Sequence, residues 1–392
     1  MSAAKRHYGM DWLRIGAFGL LILYHIGMVF SPWNFHINRP HPINWVTIPM
    51  QAVNAWRLPL LFVVSGYASR AIFAGDARPG HFAWQRTLRL LVPTLAAIIL
   101  VIPPQPWIEL SVKHGYQHGF LHFWEHHYFR FKPISGLMLP TWQHLWFVVY
   151  LWVYTLVLAL VLAILPQKAR AGLAWLADKV LAGPLVLALP IALLLANMAW
   201  IFPGAAETHA LIDDLPIHRV YFAMFLFGFH LRSSDALWAG IRRWWRTGIA
   251  LAVISYAIVA LIEFSYPGNV KLPLDVWALF SSARMVQSWA AIIGLIGLAD
   301  RYWNRDHRWR TTLNEAIFPF YIVHQTIIVA TAALILRQGL PPLVEFLVIF
   351  GATVAGCWLF YLIGRSQRWL RPLIGLRATS PRRKLRPALV TS

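Results

Sequence analysis

Residues 11–30 read DWLRIGAFGLLILYHIGMVF, twenty residues whose only ionisable side chains with charge or titration near neutrality are Asp11, Arg14 and His25. A helix of about twenty residues rises roughly 30 Å, the thickness of a bilayer's hydrocarbon core. The run lacks the strict alternation of a barrel strand, and lipid tolerates only helices or closed barrels. It therefore predicts a transmembrane helix. It shows no small-residue cleavage site and carries Arg14 and His25, so it reads as a retained signal anchor rather than a cleaved leader.

Nine further apolar runs follow, near 50–74, 88–104, 143–165, 181–202, 219–231, 247–265, 276–299, 313–336 and 342–364. The 219–231 run is the shortest and can extend or be half-buried. The chain of 392 residues is 58% hydrophobic and 13% charged, against about 25% charged in soluble domains. That composition excludes an ordinary water-soluble enzyme. The expected fold is all-α: a polytopic integral membrane bundle of about ten transmembrane helices. One cysteine rules out a disulfide framework and a multi-cysteine zinc site. No P-loop, G-x-G-x-x-G, G-x-S-x-G or H-E-x-x-H motif is present.

The net charge of +20 comes from 35 Lys and Arg against 15 Asp and Glu. Placed on ten spans, 25 of these cations fall on the side of the termini, 7 on the other side, and Arg14, Arg57 and Arg284 inside spans. The positive-inside rule then sets both termini in the cytoplasm. It also accounts for the basic charge without nucleic acid as a partner. Residues 1–372 form the expected membrane domain, and 373–392 a basic, disordered tail able to rest on anionic lipid.

Ionisable residues within spans are costly and mark function by default. His25 lies eleven steps beyond Arg14, about 16 Å along the axis and three turns, so both share one face. Asp11 lies one turn before Arg14 and can pair with it. Arg57 lies inside the second run, RLPLLFVVSGYASR (57–70), where Ser65-Gly66 permits close helix packing. Arg284 is a similar case, and Glu263 and Glu345 are possible partners for either arginine. Arg86 and Arg89, three apart, can grip phosphates or simply anchor the helix. His324, with Tyr321 three residues before it, is a second mid-depth histidine. Outside the spans, His114, His118, His122 and His126 recur at i,i+4 in an outer loop, 105–141; in a helix they would form a stripe able to hold zinc, although an amphipathic interfacial helix is the preferred reading and no metal is expected.

Arg14-x10-His25, Phe62-Val-Val-Ser65-Gly66-Tyr67, Arg86-x-x-Arg89-x-x-x-Pro93, His144-Leu-Trp146-Phe147 and Phe318-Pro319-x-Tyr321-x-x-His324 occur in this order. Together they resemble the membrane acyltransferase-3 family, the bacterial O-acyltransferases, over nearly all of residues 8–365. Three segments look nearest to its glucan-biosynthesis succinyltransferase subgroup. The resemblance implies a bacterial inner-membrane enzyme that moves an acyl group from cytoplasmic acyl-CoA, a co-substrate, to a hydroxyl of a glycan or glycolipid. No bound cofactor is implied. Its functional residues match Arg14 and His25, and its arginine pair matches Arg86 and Arg89.

Under this expectation Arg14, Arg86 and Arg89 hold the CoA phosphates. His25 is general base or itself carries the acyl group. Asp11, three turns away, is too far to orient it. Tyr321 and His324 line the cavity or assist proton transfer, with His144 in support. Ser65 can donate to the thioester carbonyl, though packing is the simpler role. Arg57 and Arg284 would serve an anion path equally well, so a small-anion or lipid transporter is the rival class. Acetyl and succinyl donors, and periplasmic glucan, surface polysaccharide or lipid-linked sugar acceptors, all stay open.

Overall fold

The computed structural model describes residues 7–76, 78–201, 204 and 207–378. The chain folds as α1 (Tyr8–Phe30), α2 (Thr47–Asn54), α3 (Arg57–Asp76), α4 (Pro79–Leu100), α5 (Pro104–Lys113), α6 (Phe120–Phe123), α7 (Trp146–Ile164), α8 (Gln167–Val180), α9 (Leu185–Ala196), α10 (Leu215–Leu231), α11 (Asp235–Ser265), α12 (Leu274–Tyr302), α13 (Arg310–Ile335), α14 (Pro342–Ser366) and α15 (Leu370–Leu373). One small hairpin joins β1 (Pro133–Ile134) to β2 (Leu137–Met138). Its two-residue turn, Ser135 and Gly136, has positive φ at both positions, the geometry that matches strand twist.

Among the described residues, seven helices are long and apolar enough to cross a membrane, or nine if each of two bent pairs counts as one span. This is a multi-pass membrane protein. Each of the ten expected runs contains a helix, but three depart from a simple rod. The α4–α5 pair bends by 41° and the α8–α9 pair by 94°. Pro103 and Pro104 supply no N–H at the first break. Gly183, at φ 58°, and Pro184 mark the second. Two expected loops are therefore partly helical: α5 lies within 105–141, and α8 fills the connection after α7.

The third departure is the shortest run. It extends to Leu215 and becomes α10, packed along α3. A Cβ added at Gly66 would lie 1.9 Å from the Phe225 carbonyl oxygen, and one at Gly228 would lie 1.8 Å from that of Val63. The two backbones are in direct contact, which only glycine allows. Close approach compensates for short length, and Tyr221, Met224 and Phe225 join the main core.

Helix ends follow local chemistry. Pro79, Pro104 and Pro342 open their helices, where a missing N–H costs nothing. Ser234 caps α11, its Oγ accepting from the Leu237 N–H at 3.1 Å. Helix α1 is central, against α3, α12 and α13. Large apolar side chains such as Leu261 on α11 and Leu347 on α14 stay exposed, as a lipid-facing surface requires.

Two ends of the bundle matter below. The proximal end holds the start of α1, the start of α13 and the end of α14. The distal end holds the segments 31–46, 114–142 and 207–214. The expected tail begins at 373, but Ile374 and Leu376 are buried, and Arg371 donates to the carbonyls of Arg365 and Arg377. Residues 379–392 lie outside the described residues.

Candidate functional site

Helices α1 and α13 run parallel and in register. Arg310 donates to Asp11 at 2.7 Å, Arg14 to the Asn314 side chain at 2.6 Å, and His25 bonds His324 at 2.9 Å. Phe18 meets Tyr321 edge-on between them, with ring centroids 5.3 Å apart. Residues 11, 14, 18 and 25 of one helix thus face 310, 314, 321 and 324 of the other, as helical periodicity demands. The ladder joins a cationic proximal end to a histidine-rich distal end.

At the proximal end Arg14, Arg86 and Arg89 lie within electrostatic reach of one another. The three-residue spacing leaves Arg86 and Arg89 about 60° apart on α4, so Arg86 is buried while Arg89 faces outward. The Nε atoms of Arg14 and Arg86 are buried without a hydrogen-bond partner. Unpartnered buried donors are expensive unless an anion completes them. Asp11, expected to neutralise Arg14, is engaged by Arg310.

At the distal end a cavity of about 810 Å³ opens beneath the hairpin and the 207–210 segment. His25, His36, Arg57, Glu109, His144 and Tyr321 are among its walls. His324 Nδ1 lies 2.9 Å from the Tyr321 carbonyl oxygen and 3.2 Å from that of Phe320. Carbonyls only accept, so His324 Nδ1 carries a proton and its Nε2 accepts from His25 Nδ1–H. That network leaves His25 Nε2 unprotonated on a ring lining the cavity. His144 donates from Nε2 to the same Tyr321 carbonyl at 2.9 Å, and the Tyr321 hydroxyl donates back to the His144 carbonyl. Its Nδ1 is buried without a partner.

Arg57 brings a cation to the wall of this cavity. It is 3% exposed, its guanidinium sits 3.4 Å above the Tyr24 ring, and its Nε and Nη1 have no hydrogen-bond partner. An arginine held on an aromatic face with free donors beside a cavity is arranged to meet negative charge.

The acyltransferase-3 sequence model, described as "Acyltransferase domain", matches residues 7–362. The chain belongs to this acyltransferase family. Among relatives, the glucans biosynthesis protein C of Escherichia coli strain SMS-3-5 is 30% identical over 155 residues, and that of strain 536 is 31% identical over 156 residues. Each match covers 39% of this chain and 38% of the relative. The chain thus aligns with well under half the length of these curated relatives. No solved structure matches it.

The remaining sequence-named residues scatter. Ser65 does not line the cavity; its carbonyl accepts from Ser69 Oγ at 2.8 Å, and packing is its visible role. Arg284 lines a second cavity of about 500 Å³. It donates to Gln51 Oε1 at 2.9 Å, and Gln51 Nε2 donates to Glu263 at 3.1 Å, so Glu263 is reached through an amide rather than directly. Glu345 is not a partner for either buried arginine, because it pairs with Arg39 at 2.9 Å.

The histidine stripe is broken. Helix α5 stops at Lys113, His114 and His118 are outside any helix, His122 lies in α6, and His126 lies in the π-helical turn Trp124–Tyr128 that continues it. Their rings stack at 4.5 Å. Among the described residues, no three His, Cys, Asp or Glu side chains converge as metal ligands. Partial desolvation, then neighbouring His118 and His126, hold the His122 imidazole below its ordinary value.

Sequence reading passed over His36 and Glu109. His36 Nδ1 meets Glu109 Oε2 at 2.6 Å, and Gln325 donates to His36 Nε2 at 2.8 Å and to Gln105 at 3.0 Å. Glu109 lies in a segment that reads as loop, which hid it. The local clue was an acid directly after the apolar residues Pro106-Trp107-Ile108. Asp214, also unnoticed, ties down the cavity roof by accepting from the Thr208 and His209 N–H groups, each at 3.2 Å, and from Tyr150 at 2.6 Å.

Proposed function

We propose that this acyltransferase takes an acyl group from acyl-CoA at its proximal, cytoplasmic end. It passes that group to a hydroxyl of a glycan or glycolipid in the distal cavity. The bacterial inner membrane is the expected location, with the positive-inside charge bias setting the orientation. The observation that carries the reading is the 2.9 Å His25–His324 bond, with His324 anchored on a backbone carbonyl. It occupies Nδ1 and leaves Nε2 free on an imidazole that lines the cavity, which is what a general base needs.

The chemistry follows. Arg14, Arg86 and Arg89 take the CoA phosphates, completing the Nε donors of Arg14 and Arg86 that are otherwise unpaired. The pantetheine arm extends along the α1–α13 ladder and brings the thioester to His25. His25 Nε2 removes the acceptor hydroxyl's proton as its oxygen attacks the thioester carbon. The C–S bond breaks, the proton passes from His25 to the thiolate, and an ester and free CoA result. Arg57, beside the reacting carbon, stabilises the oxyanion that forms transiently. The glucan-related name of the curated relatives favours a glucose-based acceptor. Acetyl-CoA and succinyl-CoA are the donors to try.

Thiol release tests the assignment. Purified protein in detergent is offered each donor with and without a glucan, alongside His25→Ala. Acceptor-dependent release is expected, falling roughly 10²–10⁴-fold in the variant. Release at wild-type rate in folded His25→Ala would sink the base assignment. A stoichiometric burst without acceptor would replace direct transfer by an acyl-enzyme.

A further inference from the structure

The second cavity has no part in the chemistry above, yet it adjoins the first. Tyr24, Met28 and Asn54 line both. Each volume falls within the roughly 300–1,000 Å³ typical of small-ligand sites. An acyl group and one acceptor hydroxyl need only the first. Two adjoining cavities fit an acceptor longer than one sugar.

The walls of the second cavity indicate the ligand's chemistry. Gln51 sits between Arg284 and Glu263, donating to one and accepting from the other. Glu263 is 8% exposed and Gln51 3%, so this relay is built into the protein rather than a surface accident. It presents a cation, an amide and a carboxylate in sequence along one wall, with charge balanced between the ends. Such a wall gives alternating donors and acceptors, and balanced charge does not select an anion. Trp33, Tyr266 and Phe280 supply apolar faces, and Asn54 and Asn269 supply further amides. Flat aromatic faces combined with fixed, two-way hydrogen-bonding groups suit a neutral, hydroxyl-rich ring, which has apolar C–H faces and a rim of hydroxyls that both donate and accept. A bare lipid chain would leave the buried Glu263 and the Arg284 beside the cavity without use.

We infer that the second cavity is an acceptor subsite for the sugar next to the one being acylated. The relay Arg284–Gln51–Glu263 holds its hydroxyls, and Tyr24 and Asn54 form the threshold between the two sites. This rests on the glycan-acceptor reading above.

Two measurements separate the inference from that reading. The first is calorimetric binding, without donor, of a soluble linear glucan oligosaccharide and of free glucose to the detergent-purified full chain. The second is the ratio of kcat/KM for oligosaccharide over glucose in the thiol-release assay. Glu263→Gln keeps size and a hydrogen-bond acceptor but removes the charge; Tyr266→Ala removes an aromatic wall. Wild-type protein is expected to bind the oligosaccharide more tightly than glucose. Each variant should reduce that preference, and the kcat/KM ratio, roughly tenfold, the scale of one hydrogen bond to a charged group for Glu263→Gln and of one aromatic contact for Tyr266→Ala. Equal losses for both acceptors would show a merely structural role and overturn the subsite. So would an unchanged ratio, or a wild-type protein that binds the two sugars alike. If no acyl-CoA yields thiol with any acceptor, the catalytic reading fails, while the binding comparison still decides the subsite.

Discussion

His324→Phe isolates the relay from the rest of the site. The phenyl ring fills the space of the imidazole, which is fully buried, so the packing loss is small. Three atoms change circumstance. The His25 Nδ1–H loses the acceptor now 2.9 Å away. The Tyr321 carbonyl loses one of two imidazole donors but keeps His144 Nε2 at 2.9 Å. The cavity-side lone pair of His25 is no longer enforced, because Nδ1–H has nothing to bond. A buried donor left unsatisfied costs about 1–3 kcal/mol. If that cost falls on the tautomer needed for proton abstraction, kcat drops about 5- to 150-fold, at 1.4 kcal/mol per tenfold. Arg14, with Arg86 and Arg89 clustered near it, lies about three helical turns from His25 along α1, so KM for acyl-CoA should stay close to wild type. The assay is acceptor-dependent CoA release over a range of donor concentrations, with folding checked by thermal melting in detergent. A kcat within twofold of wild type in a folded variant would refute the relay. An equal rise in KM would show instead that His324 shapes donor binding.

Three further outcomes are expected. Arg14→Ala should raise KM for acyl-CoA about 10- to 100-fold, the worth of a charge-assisted phosphate contact, with less effect on kcat; unchanged kinetics would remove Arg14 from the donor site. Gly66→Ala places a methyl 1.9 Å from the Phe225 carbonyl oxygen, so α3 and α10 must part, costing about 1–3 kcal/mol as overpacking does. A melting temperature equal to wild type would contradict the contact. Asp214→Asn weakens the bonds to the Thr208 and His209 N–H groups and to Tyr150; it should loosen the cavity roof and raise KM for the acceptor several-fold, and a KM equal to wild type would show that the roof does not contact the acceptor.

Much of the fold was legible because lipid imposes long apolar runs. The ten expected positions each hold a helix. The breaks at Pro103-Pro104 and Gly183-Pro184 were visible as residues but not as angles, since a proline says where a helix stops and not where the chain goes next. The shortest run could not be settled by hydropathy, because Gly66 and Gly228 act on each other from different helices. The histidine stripe failed for the converse reason: i,i+4 spacing makes a face only if the segment is one helix, and Gly115 and Gly119 fall between its members.

At the site, the sequence alone determined which ionisable groups sit in the spans and that Arg14 and His25 share a face. Both follow from single-helix periodicity and the cost of charge in lipid. Only the tertiary structure decided what those groups meet. Pairing Asp11 with Arg310, Arg14 with Asn314 and His25 with His324 depends on the parallel register of α1 and α13, nearly 300 residues apart in the chain. The same holds for Arg57 on Tyr24, for His36 with Glu109, and for the Arg284–Gln51–Glu263 relay. Each joins segments that no local pattern relates, and the tautomer of His25 is set by whichever atom lies opposite its Nδ1. A residue's type limits what it can donate or accept; packing alone chooses its partner.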